Sequence, residues 1–165
     1  MCLATEAGVA HAGGRRAETI PFPLEFAPTL PYRGVEEIRF APGFFKPAEP
    51  LYFTYSFVWV IDGAPAFADL SGDLRTYFAG LAKAVSPKTF DATRHQATVT
   101  REASAIGGTV TTVDAFGDGH TLDLRVAGEI VTCTGGRTGL VLSLSPRSDA
   151  GTWDMLAAQR RTMRC

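Results

Sequence analysis

Bulky hydrophobic side chains are densest at strand spacing in residues 51–61, LYFTYSFVWVI. The odd-numbered positions of this segment are all large and apolar or aromatic, whereas the even-numbered positions are mixed. Successive side chains of a β-strand point to opposite faces, so a period of two is typical of a strand. We therefore predict a central strand whose bulky face, with Phe53, Phe57 and Trp59, is turned to the interior of a sheet.

Two other stretches have the spacing of three and four residues that is typical of helices. The first covers about residues 69–86, with Asp69 or Ser71 as the N-cap and Pro87 as the stop. The second covers about residues 151–163. Its predicted inward positions are Trp153, Leu156, Ala157 and Met163. We expect the first helix to lie across the sheet, and its two interior glycines, which weaken an isolated helix, indicate close packing at those points.

The N-terminal part divides into three segments. Residues 1–19 are rich in Ala and Gly without apolar periodicity, which predicts a flexible tail ahead of a single domain over residues 20–165. Four prolines in residues 20–32 favour extended backbone, and the interleaved apolar residues predict a strap laid over an apolar surface. Residues 35–40 are predicted to form a short peripheral strand.

The second half of the chain alternates between apolar and polar residues in four stretches. These are residues 97–103, 109–116, 120–133 and 137–145. Glycine-rich segments at 107–108, 117–119 and 134–136 separate the stretches and favour tight turns. Short connections join antiparallel neighbours, so an antiparallel sheet is predicted.

The predicted elements amount to an α+β sandwich, a curved antiparallel sheet with one long helix and a C-terminal helix. The succession in which LVLSLSP leads into a Trp-led terminal helix resembles the PsbP-like domains. The stretch GVEEIRFAPGFF followed by YFTYSFVWV is similar to a group of uncharacterised exported bacterial proteins. The first resemblance implies a fold used mostly for association, and neither resemblance supplies a catalytic residue.

Charge and composition exclude several classes of function. The chain has 16 basic and 17 acidic residues and a net charge of -1, so no global field attracts nucleic acid. No apolar run approaches the roughly 20 residues of a transmembrane helix.

The N-terminus lacks the basic start and apolar centre of a secretory signal. Met1 followed by Cys2 is nevertheless what remains when a lipoprotein is cut back to its lipidated cysteine, so two locations stay open: a periplasmic or membrane-anchored lipoprotein, or the cytoplasm.

The three cysteines are Cys2, Cys133 and Cys165. If the last strand runs away from the turn at residues 134–136 and the final helix runs back over the sheet, Cys165 reaches that turn beside Cys133. A disulfide between them is one prediction, and it implies an oxidising compartment. Two unrelated thiols are the alternative.

Candidate catalytic groups are few. His95 and His120 can meet across strands, and together with Asp114 they are candidates for a hydrolase- or isomerase-type site. A metal site formed by the two histidines with Asp114 or Asp118 is a further alternative to plain turn chemistry. The chain has no Gly-x-Ser-x-Gly elbow and no phosphate loop, and no cofactor is predicted.

The aromatic content carries the main functional hypothesis. Part of the aromatic set exceeds what a two-layer core needs, which indicates a groove between helix and sheet. The predicted ligand-binding residues are Tyr55, Trp59, Phe67 and Tyr77. We therefore expect a non-catalytic, exported or lipid-anchored accessory domain that binds an unknown protein partner or a small apolar ligand. Plain core packing of these residues is the alternative.

Overall fold

The computed structural model describes residues 10–12, 15–163 and 165. Its strands form one open antiparallel sheet in the order β1-β2-β3-β4-β8-β7-β6-β5. The strands are β1 Ala10–Ala12, β2 Arg15–Pro21, β3 Gly34–Phe40, β4 Tyr55–Asp62, β5 Gln96–Glu102, β6 Ala105–Val113, β7 Thr121–Cys133 and β8 Arg137–Ser145. The helices are α1 Leu70–Val85 and α2 Ala150–Thr162, and a 3-10 turn covers Ala92–Arg94. The predicted α+β class, with its antiparallel sheet and two helices, is confirmed.

Strand β4 is central in the sheet, between β3 and β8. Phe53, Phe57 and Trp59 are all buried, as predicted. The strand itself begins only at Tyr55, because the residues before it form a turn in which the Thr54 amide donates to the Leu51 carbonyl at 3.2 Å. The prediction of a strand from residue 51 is thus four residues too long.

Each face of the sheet has its own cover. Helix α1 and the strap, residues 20–32, cover the aromatic face of β4, where Phe57 and Trp59 are fully buried. Helix α2 contacts β4 and β8 on the opposite face, where Val58, Val60 and Val141 are buried. The central strand is therefore interior on both faces.

Helix α1 agrees with the sequence prediction at both ends. The Asp69 carboxylate caps it by accepting from the Gly72 amide at 2.9 Å, and Ser86 ends it. Close packing at Gly80 is also confirmed, since a Cβ built there would lie 2.0 Å from the Phe26 carbonyl oxygen of the strap.

The predicted peripheral position of β3 is wrong. Two strands lie outside it, because β2 pairs along β3 from Arg16–Phe40 to Pro21–Val35, and β1 pairs with β2. The prolines that suggested a strap begin only where β2 ends, so they do not interrupt its pairing. The predicted boundary between tail and domain at residue 20 consequently falls inside β2.

The glycines at 107–108 do not form a turn, contrary to prediction. They lie within β6, and the β5–β6 connection instead uses Ala103, whose φ is 53°. Gly108 has a φ of 154°, and a Cβ there would lie 2.1 Å from the Thr98 carbonyl oxygen of the neighbouring strand. The glycine therefore permits a close approach of two strands rather than a reversal of the chain.

The inward face of α2 also differs from the prediction. Leu156 and Met163 are buried as expected, but Thr152 and Gln159 occupy the other two inward positions in place of Trp153 and Ala157. The four buried positions follow steps of four, three and four residues, which keep them on one helical stripe. The Trp153 indole N–H donates to a surface carbonyl, that of Arg147, at 2.8 Å.

Candidate binding site

Asp114 organises the connection between β6 and β7 at one end of the sheet. Its amide donates to the His120 carbonyl at 2.9 Å, and its own carbonyl accepts from the Gly119 amide at 3.0 Å. The carboxylate is buried, with 4% of the residue exposed. One oxygen accepts from the Phe116 amide at 3.1 Å, and the other accepts from the Tyr52 hydroxyl. The side chain thus fixes both its own loop and the loop that carries Tyr52.

His120 completes a chain of side-chain contacts that begins at Asp114. Its ring stacks on that of Tyr52, with the centroids 6.0 Å apart, and its Nε2 lies 3.5 Å from the Tyr52 hydroxyl. Its Nδ1 lies 2.5 Å from an Asp118 carboxylate oxygen. Burial and the neighbouring Asp114 raise the pKa of Tyr52, whereas hydrogen bonds from His120 lower the pKa of Asp118. The structure therefore brings together two predicted candidates, His120 and Asp114, through the Tyr52 hydroxyl.

Two exposed phenylalanines lie beside the side-chain contacts that join Asp114, Tyr52 and His120. Phe45 and Phe116 retain 41% and 44% of their surface, and among the described residues they are the large hydrophobic side chains with the greatest exposure. Their ring centroids lie 5.4 Å apart with the rings nearly perpendicular, a favourable edge-to-face contact. We use the name aromatic platform for the surface formed by Phe45, Tyr52, Phe116 and His120.

The connection between β6 and β7 also lines a cleft of about 380 Å³. Its walls include Phe90, Arg94 and Asp118, so Asp118 belongs both to the cleft and to the chain of contacts at the platform. The Arg94 guanidinium donates to the Gly119 carbonyl at 2.8 Å and to the Thr121 hydroxyl at 3.1 Å, which holds the loop against the 3-10 turn.

His95, the other predicted histidine, lies apart from this site. It is 1% exposed, its Nδ1 lies 2.8 Å from the Thr112 hydroxyl, and its ring stacks on Phe90. Burial lowers its pKa. In the described part of the chain no hydrogen bond joins His95 to His120 or Asp114, and no three His, Cys, Asp or Glu side chains of that part are grouped to hold a metal.

The predicted ligand-binding residues lie together between the sheet and α1. Tyr55, Trp59, Phe67 and Tyr77 are between 0% and 5% exposed. Side chains of the strap cover them, since Phe22, Leu24 and Leu30 belong to the same buried cluster. The groove between helix and sheet is therefore filled by the chain's own residues in this structure.

Glu36 is the buried polar residue that the sequence prediction missed. It is 0% exposed, and its carboxyl oxygens accept from the Trp59 indole at 2.5 Å and from the Tyr77 hydroxyl at 3.0 Å. Burial is the largest cause that raises its pKa to about 7. The alternation along β3 indicates the burial of Glu36, because Glu36 shares its side of the strand with Ile38 and Phe40, both of which are buried.

The predicted proximity of Cys133 to Cys165 is confirmed. Cys133 and Cys165 are at bonding distance, with their Cα atoms 5.3 Å apart, inside the usual range of about 4.4 to 6.8 Å. The bond joins the end of β7 to the chain beyond α2, as the predicted return path of that helix requires. Cys2, the residue behind the lipoprotein hypothesis, lies outside the described residues.

Comparisons with family models, with curated proteins and with solved structures found no match for this chain. The resemblances to PsbP-like domains and to exported bacterial proteins therefore stay predictions. Within the described residues, neither helix combines the length and apolar character needed to cross a bilayer.

Proposed function

We propose that this protein is a non-catalytic binding domain that contacts an apolar segment of a partner protein with its aromatic platform. The observation that carries the proposal is the contact between Phe45 and Phe116, two exposed rings from loops far apart in sequence. Exposed apolar patches on a folded chain mark interaction sites, and aromatic residues are enriched at the centres of interfaces.

The positioning of the platform supports this choice of surface. The buried Asp114 carboxylate fixes the backbone at Phe116 and the side chain of Tyr52, so these two parts of the platform are held in place before a partner arrives. A preorganised surface loses less conformational entropy on binding. The groove between helix and sheet is occupied by the strap, whereas the platform holds Phe45 and Phe116, the most exposed large hydrophobic side chains of the described residues.

The charge beside the platform indicates the chemistry of the partner. The Asp118 side chain is 77% exposed, and its lowered pKa keeps it ionised at neutral pH. A segment that places a basic residue next to an apolar side chain matches this arrangement, because the charge pair selects the register while the apolar contact supplies affinity.

Selection from a displayed peptide library against the purified protein tests the proposal. We expect enrichment of peptides with an aromatic or aliphatic residue beside Lys or Arg, and chemical-shift changes confined to the platform. The double variant Phe45→Ser/Phe116→Ser should weaken binding at least tenfold, whereas Trp153→Leu, a change in an aromatic side chain on α2, should leave it unchanged. Peptides that bind both variants equally, or no selected peptide at all, would refute the platform as the binding surface.

We further propose that the domain works in an oxidising compartment, as an exported or lipid-anchored protein. The Cys133–Cys165 bond supports this location, because disulfides persist outside the reducing cytosol. Alkylation of thiols in intact cells of the source organism tests it. Cys133 and Cys165 should react only after reduction, and reaction without a reductant would place the protein in the cytoplasm.

A second candidate, a hydrolase- or isomerase-type enzyme, is favoured by the hydrogen-bonded series Asp118, His120 and Tyr52. A carboxylate that orients one histidine nitrogen leaves the other nitrogen to act as a base. His95 takes no part in this arrangement. Hydrolysis of p-nitrophenyl esters provides a test: an enzyme of this kind loses activity in His120→Asn and retains it in Asp123→Asn, whereas equal background rates in both variants favour the binding proposal.

A further inference from the structure

Glu36 is a buried carboxyl group without a cationic partner among the described residues. Its two hydrogen-bond donors are Trp59 on β4 and Tyr77 on α1. The titratable groups that act on it from the surrounding elements are Glu18 on β2, Tyr55 on β4 and Tyr77 on α1. All three are acids or phenols, so none of them offsets a negative charge on Glu36.

The strap rests directly on the two donors of Glu36. The rings of Phe22 and Tyr32 lie 5.5 Å and 5.7 Å from the Trp59 ring, and the ring of Phe26 lies 5.1 Å from that of Tyr77. The backbone at Phe22 is also tied to β3, because its amide donates to the Gly34 carbonyl at 2.9 Å. Any rearrangement of Trp59 or Tyr77 around Glu36 must therefore move the strap.

We propose that Glu36 is a pH-sensitive latch, whose ionisation releases the strap and opens the aromatic groove between α1 and the sheet. An ionised carboxylate in an apolar interior is strongly disfavoured unless it is paired or hydrated. The two neutral donors, Trp59 and Tyr77, replace only part of the water that a carboxylate would bind in solution. Since strap aromatics cover both donors, water reaches the carboxylate when the strap lifts.

The latch operates in the neutral range of pH. Burial raises the pKa of Glu36 to about 7, so the side chain is neutral and the strap closed below this pH, and ionised above it. Opening exposes the Glu36 carboxylate among Tyr55, Trp59 and Tyr77, which are residues predicted from the sequence to bind a ligand. The latch and the aromatic platform use different residues, because no platform residue donates to Glu36 or belongs to the strap.

Hydrogen exchange at pH 5.5 and 8.5, corrected for intrinsic exchange rates, tests the latch. The amides of Phe22, Ala27 and Leu30 are hydrogen-bonded within or beside the strap and report its opening. We expect their protection to fall at least tenfold at the higher pH in the natural protein. Glu36→Gln, which cannot ionise, should abolish the change, and Glu37→Gln, the next position on β3 with its side chain on the other face, should retain it. The same loss of protection in Glu36→Gln would overturn the proposal.

A titration of the natural protein provides a test that needs no folded variant. The carboxyl carbon resonance of Glu36 should titrate with a midpoint near 7, and the strap resonances should shift with the same midpoint. A Glu36 midpoint near the ordinary value of 4.5, or strap resonances that do not follow Glu36, would refute the latch.

Discussion

The two faces of strand β4 are buried by different chemistry. On the face under α1 and the strap, Phe57 and Trp59 stack with their ring centroids 5.6 Å apart. On the face under α2, Ser56 is paired with Ser143 through hydroxyls 2.7 Å apart, and Val58 and Val60 are the other buried residues of the strand. A single strand therefore supports an aromatic layer on one side and a layer of hydroxyls and valines on the other.

The difference shows how each face tolerates burial. Large rings gain transfer free energy from the area that they remove from water. Buried hydroxyls gain little unless they are paired, and here the pairing is mutual, with a second pair formed by Thr54 and Ser145 at 2.7 Å. The disulfide lies on the hydroxyl side, where Cys133 packs with Val58 and Met163. The side with the smaller apolar residues is thus the side that carries the covalent link.

Truncating one buried side chain on each face of β4 should show the largest difference in the free energy of unfolding. Phe57→Ala should lower the free energy of unfolding by about 3 to 5 kcal/mol, because it leaves a large cavity in the aromatic layer. Val58→Ala, its neighbour on the other face, should cost about 2 kcal/mol, since it removes two methyl groups. Urea denaturation of both variants measures the two losses. Equal losses would contradict the view that the aromatic layer dominates stability.

Removal of the disulfide tests the covalent link of the α2 face. The bond closes a loop with a sequence separation of 32 residues. Restriction of the unfolded chain by a loop of this size contributes about 3 to 4 kcal/mol in the chain-entropy model. The double variant Cys133→Ala/Cys165→Ala should lose about that much stability, and the natural protein should lose a similar amount on adding a reductant. An oxidised natural protein no more stable than the double variant would show that the link contributes nothing.

The pH dependence of stability should report the buried acid of the aromatic face. The pKa of Glu36 is raised from 4.5 to about 7, so between these values the folded state holds a proton that the unfolded state has lost. Stability contributed by this group is complete below 4.5 and falls as the pH rises to 7, by a total on the order of 3 kcal/mol. Glu36→Gln should remove this slope. Parallel stability curves for the two proteins between pH 4.5 and 8 would refute it.

The fold was predictable where short-range patterns agree with tertiary contacts. Helix α1 and strand β8 have clear periodicity and strong end signals, and both match their predictions. Strand β2 was hidden because Arg15–Pro21 has little apolar alternation and gains its order from pairing with β3. A single sequence gives no direct sign of such a pairing.

Only part of the candidate site was predictable, since the sequence analysis did not assign Phe45, Tyr52 or Phe116 to it. Asp114 and His120 were named from residue type and spacing, but the Tyr52 hydroxyl that joins them comes from a loop 62 residues earlier in the chain than Asp114. Glu36 was missed because a charged residue in a strand is usually placed on the solvent side. Its burial depends on Trp59 and Tyr77, which reach it from two other elements.

The smallest expected effect concerns Gln159, the exception to mutual pairing on the α2 face. Gln159 is 5% exposed, and among the described residues its Oε1 is the buried side-chain polar atom that lacks a hydrogen-bond partner. An unsatisfied buried acceptor costs about 1 to 3 kcal/mol. Gln159→Met keeps the length of the side chain and removes this acceptor, so the melting temperature should rise by an amount equivalent to about 1 kcal/mol.

Gln96→Met, at an exposed position on β5, should change stability by less than about 0.5 kcal/mol. A loss of stability in Gln159→Met would mean that the amide contributes a favourable contact to the α2 face, and the contrast between a paired and an unpaired polar group on that face would fail.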